Sequence, residues 1–153
     1  MKILTDEHIL SAVKDLKAQG IFTCGYVMLG YPGETDADIA VTYYFLKNIE
    51  LNRINCSITH INAFSPLYRQ MLSQGLIKGV EEWENENRSR VYLHSRERLA
   101  VLLAIREIFL KKFCKIGRAY EHFTALEYDE DWEFSEEEIA EARIEAREIL
   151  KKG

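Results

Sequence analysis

The sequence predicts an α/β fold in which two parallel strands are joined through a helix and covered by other helices. Three observations predict it. Apolar runs of strand length, at 21–29 and 55–62, alternate with stretches whose apolar residues recur at helical spacing. A loop rich in chain breakers, Gly30-Tyr31-Pro32-Gly33, separates the first strand from the helix after it. Strands connected through a helix run parallel, because the helix carries the chain back to its starting end.

Each element has a local cause. Residues 5–19 read as a helix: Thr5 caps it, Asp6 and Glu7 fill its first turn, and Ile9, Ala12, Val13 and Leu16 form one stripe. Gly20 ends it. Residues 21–29 carry few charges, the pattern of a parallel strand buried on both faces. Thr35 caps a helix over 36–50, with Asp36 and Asp38 at its positive end and Ile39, Thr42, Tyr43, Leu46 and Ile49 on one side. The run 55–62 is rich in β-branched residues, Ile58, Thr59 and Ile61.

The second half is helical. Residues 68–74 form a short helix ended by Gly75, and 76–94 are irregular. Ser95 opens a long helix to about Cys114. Leu99, Leu102, Leu103, Ile105, Ile108, Phe109 and Phe113 cover more than one of its faces, so it must be covered on two sides. Residues 117–134 have no clear period. Ser135-Glu136-Glu137-Glu138 is a capping box, and the last helix runs from it to Lys152. Its stripe, Ile139, Ala142, Ala146 and Ile149, is narrow, which places it on the surface. The expected organisation is one unit over 1–116 and a helical tail over 117–153.

Composition narrows the function. A chain of 153 residues, 47% hydrophobic and 29% charged, suits one globular domain. A net charge of -5, with no basic cluster, argues against a nucleic-acid partner. Acids at Asp6 and Glu7 stand where an export signal needs an apolar core. No apolar run approaches the ~20 residues that span a bilayer. The expectation is a cytoplasmic protein without a membrane partner. Cys24, Cys56 and Cys114 lie far apart, without metal-ligand spacing. Cys24 and Cys56 sit in apolar runs and are expected to be buried thiols.

Few side chains announce chemistry. The central loop lacks the Gly-Lys-Ser or Gly-Lys-Thr ending of a phosphate loop, which disfavours a stand-alone nucleotide binder. His60 lies within an apolar strand and reads as packing. His8, His94 and His122 have no partner at ligand spacing. The acidic run Tyr128-Asp129-Glu130-Asp131 lacks the register of a calcium loop and reads as solvated.

The stretch Met28-Leu29-Gly30-Tyr31-Pro32-Gly33-Glu34-Thr35, after a strand and before a helix, resembles the late part of the radical SAM superfamily barrel. The flanks agree. Ala18-Gln19-Gly20-Ile21 closes the preceding helix as it commonly does there. Asn62-Ala63-Phe64-Ser65-Pro66-Leu67-Tyr68 is similar to the family's Pro-Gly-Thr-Pro-Leu-Tyr loop, with the glycine missing and Ser65 in place of threonine. Gln74-Gly75-Leu76-Ile77 and Glu82-Trp83 also fit. The resemblance covers roughly residues 2–113 and is greatest to the cobalamin-dependent branch.

The resemblance implies a partial (β/α) TIM-type barrel carrying its last two strands, followed by a helical C-terminal region. It implies S-adenosylmethionine and a 4Fe-4S cluster as cofactors of the parent enzyme, with cobalamin as a further one. Met28 or Leu29, Gly30 and Gly33 would touch the nucleoside side of S-adenosylmethionine. Alternation lets only one of Met28 and Leu29 face the barrel interior. Glu34 would bond either a ribose hydroxyl or the loop backbone. Asn62 would meet a polar ligand edge or close an Asx turn. The chain departs from the family in lacking the CxxxCxxC loop whose thiolates hold the cluster. It is therefore expected to be inactive alone, as the C-terminal part of an enzyme. The alternative is a barrel remnant serving as an interaction module. Its expected partner is the missing N-terminal half of the barrel, or a second copy met through an exposed strand edge.

Overall fold

The computed structural model describes residues 4–59, 65–76, 94–114 and 134–152. In chain order these form α1 (Asp6–Ala18), β1 (Cys24–Leu29), α2 (Asp36–Asn48), β2 (Arg53–Ile58), α3 (Pro66–Ser73), α4 (Arg96–Phe113) and α5 (Glu136–Lys151). Caps fall where their chemistry places them. Thr5, Thr35, Ser65, Ser95 and Ser135 each accept a hydrogen bond from the backbone N–H three residues on.

β1 and β2 pair in parallel, in register from Cys24 against Arg53 to Leu29 against Ile58. The α/β class and the parallel pair joined through α2 are as the sequence predicts. A side-chain clamp fixes the near end. The Asn52 Oδ1 accepts from the Thr23 backbone N–H at 2.9 Å and from its hydroxyl at 3.0 Å. At the far end the Thr59 N–H donates to the Leu29 carbonyl at 2.7 Å.

The two faces of the sheet differ. Val27 and Leu29 on β1, with Ile54, Cys56 and Ile58 on β2, point into the core. There α4 lies on β2, and α5 packs against α4 and α2. The opposite face carries Cys24, Tyr26 and Met28 beside Arg53, Asn55 and Ser57. Tyr26 is 83% exposed and Met28 54%. The expectation that the first strand is buried on both faces is thus corrected: among the described residues, helices cover one face alone. Cys24 shares the correction and is exposed, whereas Cys56 is buried. An apolar run does not distinguish a strand sealed on both faces from one sealed on one.

The long helix α4 is covered on two sides, as its sequence requires. Leu102, Ile105 and Phe109 are fully buried. Its Arg106 is buried as well, and its Nε donates to the Cys56 carbonyl at 2.6 Å. The last helix lies on the surface, as its sequence predicts, and seals a narrow stripe against the same core. Ala142, Ala146, Ile149 and Leu150 are buried, while Ile139 stays at the margin. Alanines at 142 and 146 leave little side chain between helix backbones, so even a narrow stripe can be sealed. The proposed boundary near residue 116 lies outside the described residues. Among the described residues, no helix is long and apolar enough to cross a membrane.

α4 and α5 are also tied at their starts. Arg96 meets Glu138 through paired bonds, Nε to Oε1 at 2.9 Å and Nη2 to Oε2 at 3.3 Å. Glu138 additionally accepts from the Ser135 N–H at 2.7 Å, closing the capping box. The Arg96 bond, then the Ser135 bonds, lower the Glu138 pKa from 4.5 to about 2. A carboxyl whose pKa falls on folding adds stability above its unfolded value and loses it as pH drops through the folded one. Between about pH 4.5 and 2, therefore, acid should destabilise the native chain more steeply than it does Glu138→Gln. Urea midpoints measured across that window check it; parallel curves would show that the pair contributes nothing.

Candidate functional site

The loop between β1 and α2 stands at the carboxyl end of the sheet. The chain turns at Gly30 with φ 76° and again at Gly33 with φ 88°. Both values lie in the left-handed region that favours glycine. Tyr31 to Glu34 form a turn closed by the Glu34 N–H on the Tyr31 carbonyl at 2.8 Å. With Pro32 second and Gly33 third at positive φ, it is a type II turn.

Gly30 is held from two directions. Its N–H donates to Glu34 Oε2 at 2.6 Å. Its carbonyl lies 2.8 Å from His94 Nε2. A carbonyl only accepts, so Nε2 carries the proton. This pairing ties the loop to the start of α4. The close fit explains the glycine a second time: a Cβ there would sit 2.6 Å from His94 Nε2 and 2.9 Å from Leu102 Cδ1. At Gly33 a Cβ would meet nothing within 4 Å, so only its backbone conformation demands glycine.

A cleft of about 740 Å³ opens beside this loop, between it, α3 and the start of α4. Its polar wall is Glu34, Gln70, Gln74, His94 and Arg98, and Met71 lies among them. Arg98 is paired with Asp36 at 2.7 Å. Burial raises the Glu34 pKa, partly opposed by the Gly30 N–H. Burial also lowers the His94 pKa, partly opposed by its bond to the Gly30 carbonyl. Both groups are thus biased towards their neutral forms, which suits a wall that meets an uncharged polar ligand.

The Glu34 result gives a sign that can be measured. A carboxyl raised on folding is favoured protonated, so the native state loses stability as pH rises through its ordinary range and towards the raised value. Glu34→Gln keeps an oxygen for the Gly30 N–H and removes the charge. It should raise the urea midpoint at neutral pH, and the gain should vanish in acid. A loss at neutral pH would mean that the charged bond to Gly30 outweighs burial.

The structure separates the residues singled out by sequence. Gly30, Gly33 and Glu34 come together in the loop, and Glu34 bonds the loop backbone, one of its two expected roles. Met28 and Leu29 fall on opposite faces: Met28 is on the open face and Leu29 is fully buried under the helices. Asn62, His60, His122, the Glu82-Trp83 segment and the acidic run 128–131 lie outside the described residues. His94 and Arg98 enter the site unannounced. Sequence spacing gives His94 no partner, because its partner is a backbone carbonyl far back in the chain. The one available signal is Ser95, which fixes the start of α4 and so places Arg98 in its first turn and His94 just before its cap.

The cysteines do not fit a 4Fe-4S cluster. Cys24 is on the open face of the sheet, Cys56 is buried on the covered face, and Cys114 follows α4. The fold so defined is an α/β unit, mostly helical, with one parallel two-stranded sheet among the described residues. Comparison with protein-family models, with curated proteins and with solved structures finds no match.

Proposed function

We propose that the chain is the C-terminal part of a radical SAM barrel, forming one wall of the S-adenosylmethionine and substrate pocket and inactive alone. One observation carries the reading. A parallel strand pair has helices on one face, an open face on the other, and a glycine-bearing loop at its carboxyl end. Two adjacent units of a (β/α) barrel share these features, and barrel sites lie at the carboxyl ends of the strands, which supports the reading. The open face then corresponds to the barrel interior, which makes Met28 rather than Leu29 the residue turned towards the nucleoside. Gly30 and Gly33 let the ligand approach the main chain, and Glu34 holds the loop in shape.

In such an enzyme a 4Fe-4S cluster would supply the electron that cleaves S-adenosylmethionine, and its cysteine ligands would belong to the rest of the barrel. Cobalamin would belong to the parent enzyme too. The rest of the barrel is the expected partner, the expected compartment is the cytoplasm, and neither nucleic acid nor membrane takes part.

S-adenosylhomocysteine, which is not cleaved, is a suitable probe. Calorimetric titration should show saturable binding that Met28→Asp abolishes and Leu72→Asp, at an exposed position of α3, leaves intact. No heat at the highest soluble concentration would contradict the reading. A second reading, an interaction module descended from a barrel, is favoured by the apolar residues exposed together along 21–31: Ile21, Phe22, Tyr26, Met28 and Tyr31. It forecasts no binding of the probe.

A further inference from the structure

The two outer edges of the sheet are not equivalent. In a parallel pair, alternate residues of each strand direct both backbone groups to the same neighbour. Thr23 accepts from Arg53 N–H, and Leu29 accepts from Thr59 N–H. By that alternation Thr23, Gly25, Val27 and Leu29 face β2, while Cys24, Tyr26 and Met28 aim their N–H and carbonyl groups away from it. These outward groups have no backbone partner among the described residues. On β2 the outward set is Ile54, Cys56 and Ile58, and there the buried Arg106 takes up the Cys56 carbonyl at 2.6 Å. The sheet can therefore grow on the β1 side, whereas on the other side a buried side chain already takes up the Cys56 carbonyl.

We propose that β1 is the seam of a two-fold dimer, in which it pairs antiparallel with β1 of a second copy about an axis at Tyr26. The register is self-complementary. Tyr26 falls opposite Tyr26 of the other copy, and Cys24 opposite Met28, so every outward residue meets an outward residue. Roughly six backbone hydrogen bonds form, two for each hydrogen-bonded pair. Charge permits the contact. The chain carries a net charge of -5, yet β1, CGYVML, has no ionisable acid or base beyond a thiol and a phenol, so the copies meet without like-charge repulsion. The strand has none of the lysines or prolines that protect a bare edge. Because both copies use the same β1 edge about a two-fold axis, the pairing is isologous and ends at two copies rather than running on as a fibre.

The inference does not rest on the barrel reading. It uses the edge that a preceding barrel strand would occupy, so the two partners are mutually exclusive there.

Sedimentation of the full chain at increasing concentration should reach twice the mass of a single chain. Tyr26→Pro removes an outward N–H that β2 does not use, and should return the mass to one chain with unchanged far-ultraviolet circular dichroism. If that variant does not fold, Met28→Lys serves the same purpose by adding charge to the seam. Register is tested by Met28→Cys in a Cys114→Ser background. Facing residues of a hydrogen-bonded antiparallel pair have Cα atoms about 5.5 Å apart, within disulfide reach. Oxidised glutathione should then link the introduced thiol to Cys24 of the other copy, taking up both electrons as two reduced glutathiones. A single-chain mass at the highest soluble concentration overturns the proposal. So does a dimer that survives both seam variants, or one that gives no cross-link. None of these outcomes bears on binding of S-adenosylhomocysteine, which tests the barrel reading separately.

Discussion

Gly30→Ala should destabilise the protein by about 2–4 kcal/mol, the joint cost of a left-handed non-glycine residue and an overpacked contact. The added methyl would lie 2.6 Å from His94 Nε2 and 2.9 Å from Leu102 Cδ1. Leu102 is fully buried in α4 and has little room to yield. His94 would be pushed off the Gly30 carbonyl, leaving that acceptor to water. Gly33→Ala is the matched control, because its φ is also positive but its Cβ would stand in open space. It should cost about 1 kcal/mol, the backbone strain by itself. Urea unfolding of both variants separates steric from conformational cost. Equal losses would mean that the loop moves freely away from α4, and the site geometry given above would be wrong.

Phe109→Ala should cost about 3–5 kcal/mol, the range for removing a buried aromatic ring. Phe109 is fully buried towards the C-terminal end of α4. Its ring centroid lies 5.6 Å from that of Tyr43 on α2 and 6.0 Å from that of Phe113. The ring therefore joins α4 to α2, and its loss leaves a cavity that rigid helices on two sides cannot fill. Phe109→Leu, which keeps most of the volume, should lose less than half as much. With total stabilities near 5–15 kcal/mol for a domain, the alanine variant is best measured in the cold. A loss below about 1 kcal/mol would mean that this part of the core collapses without penalty.

The helices and their starts were legible because they depend on neighbouring residues. Thr5, Thr35, Ser95 and Ser135 cap through the third residue onward, and that spacing is written in the chain. The two-sided burial of α4 was legible from apolar residues around its whole circumference. The state of β1 was not. Tyr26 and Met28 are as apolar as Val27 and Leu29, and only the placement of helices decides which pair is sealed. The narrow stripe of α5 was legible, since Ala142, Ala146 and Ile149 recur at helical spacing and are the residues its core-facing side buries.

Half of the site shows the same division. Gly30, Gly33 and Glu34 form a local turn and could be read from their order. His94 and Arg98 arrive through tertiary packing, and nothing near them in sequence points to Gly30 or Asp36. Local chemistry predicts local geometry; contacts closed across the fold need the fold itself.

Backbone amide shifts of the isotopically labelled chain, recorded during titration with S-adenosylhomocysteine, reveal which face of the sheet meets the ligand. The barrel reading predicts saturable shifts at Met28, Gly30, Tyr31 and Gly33, with Ile39 and Phe109 on the helix-covered side unmoved. Shifts confined to the covered side, or a spectrum unchanged at millimolar ligand, would contradict it.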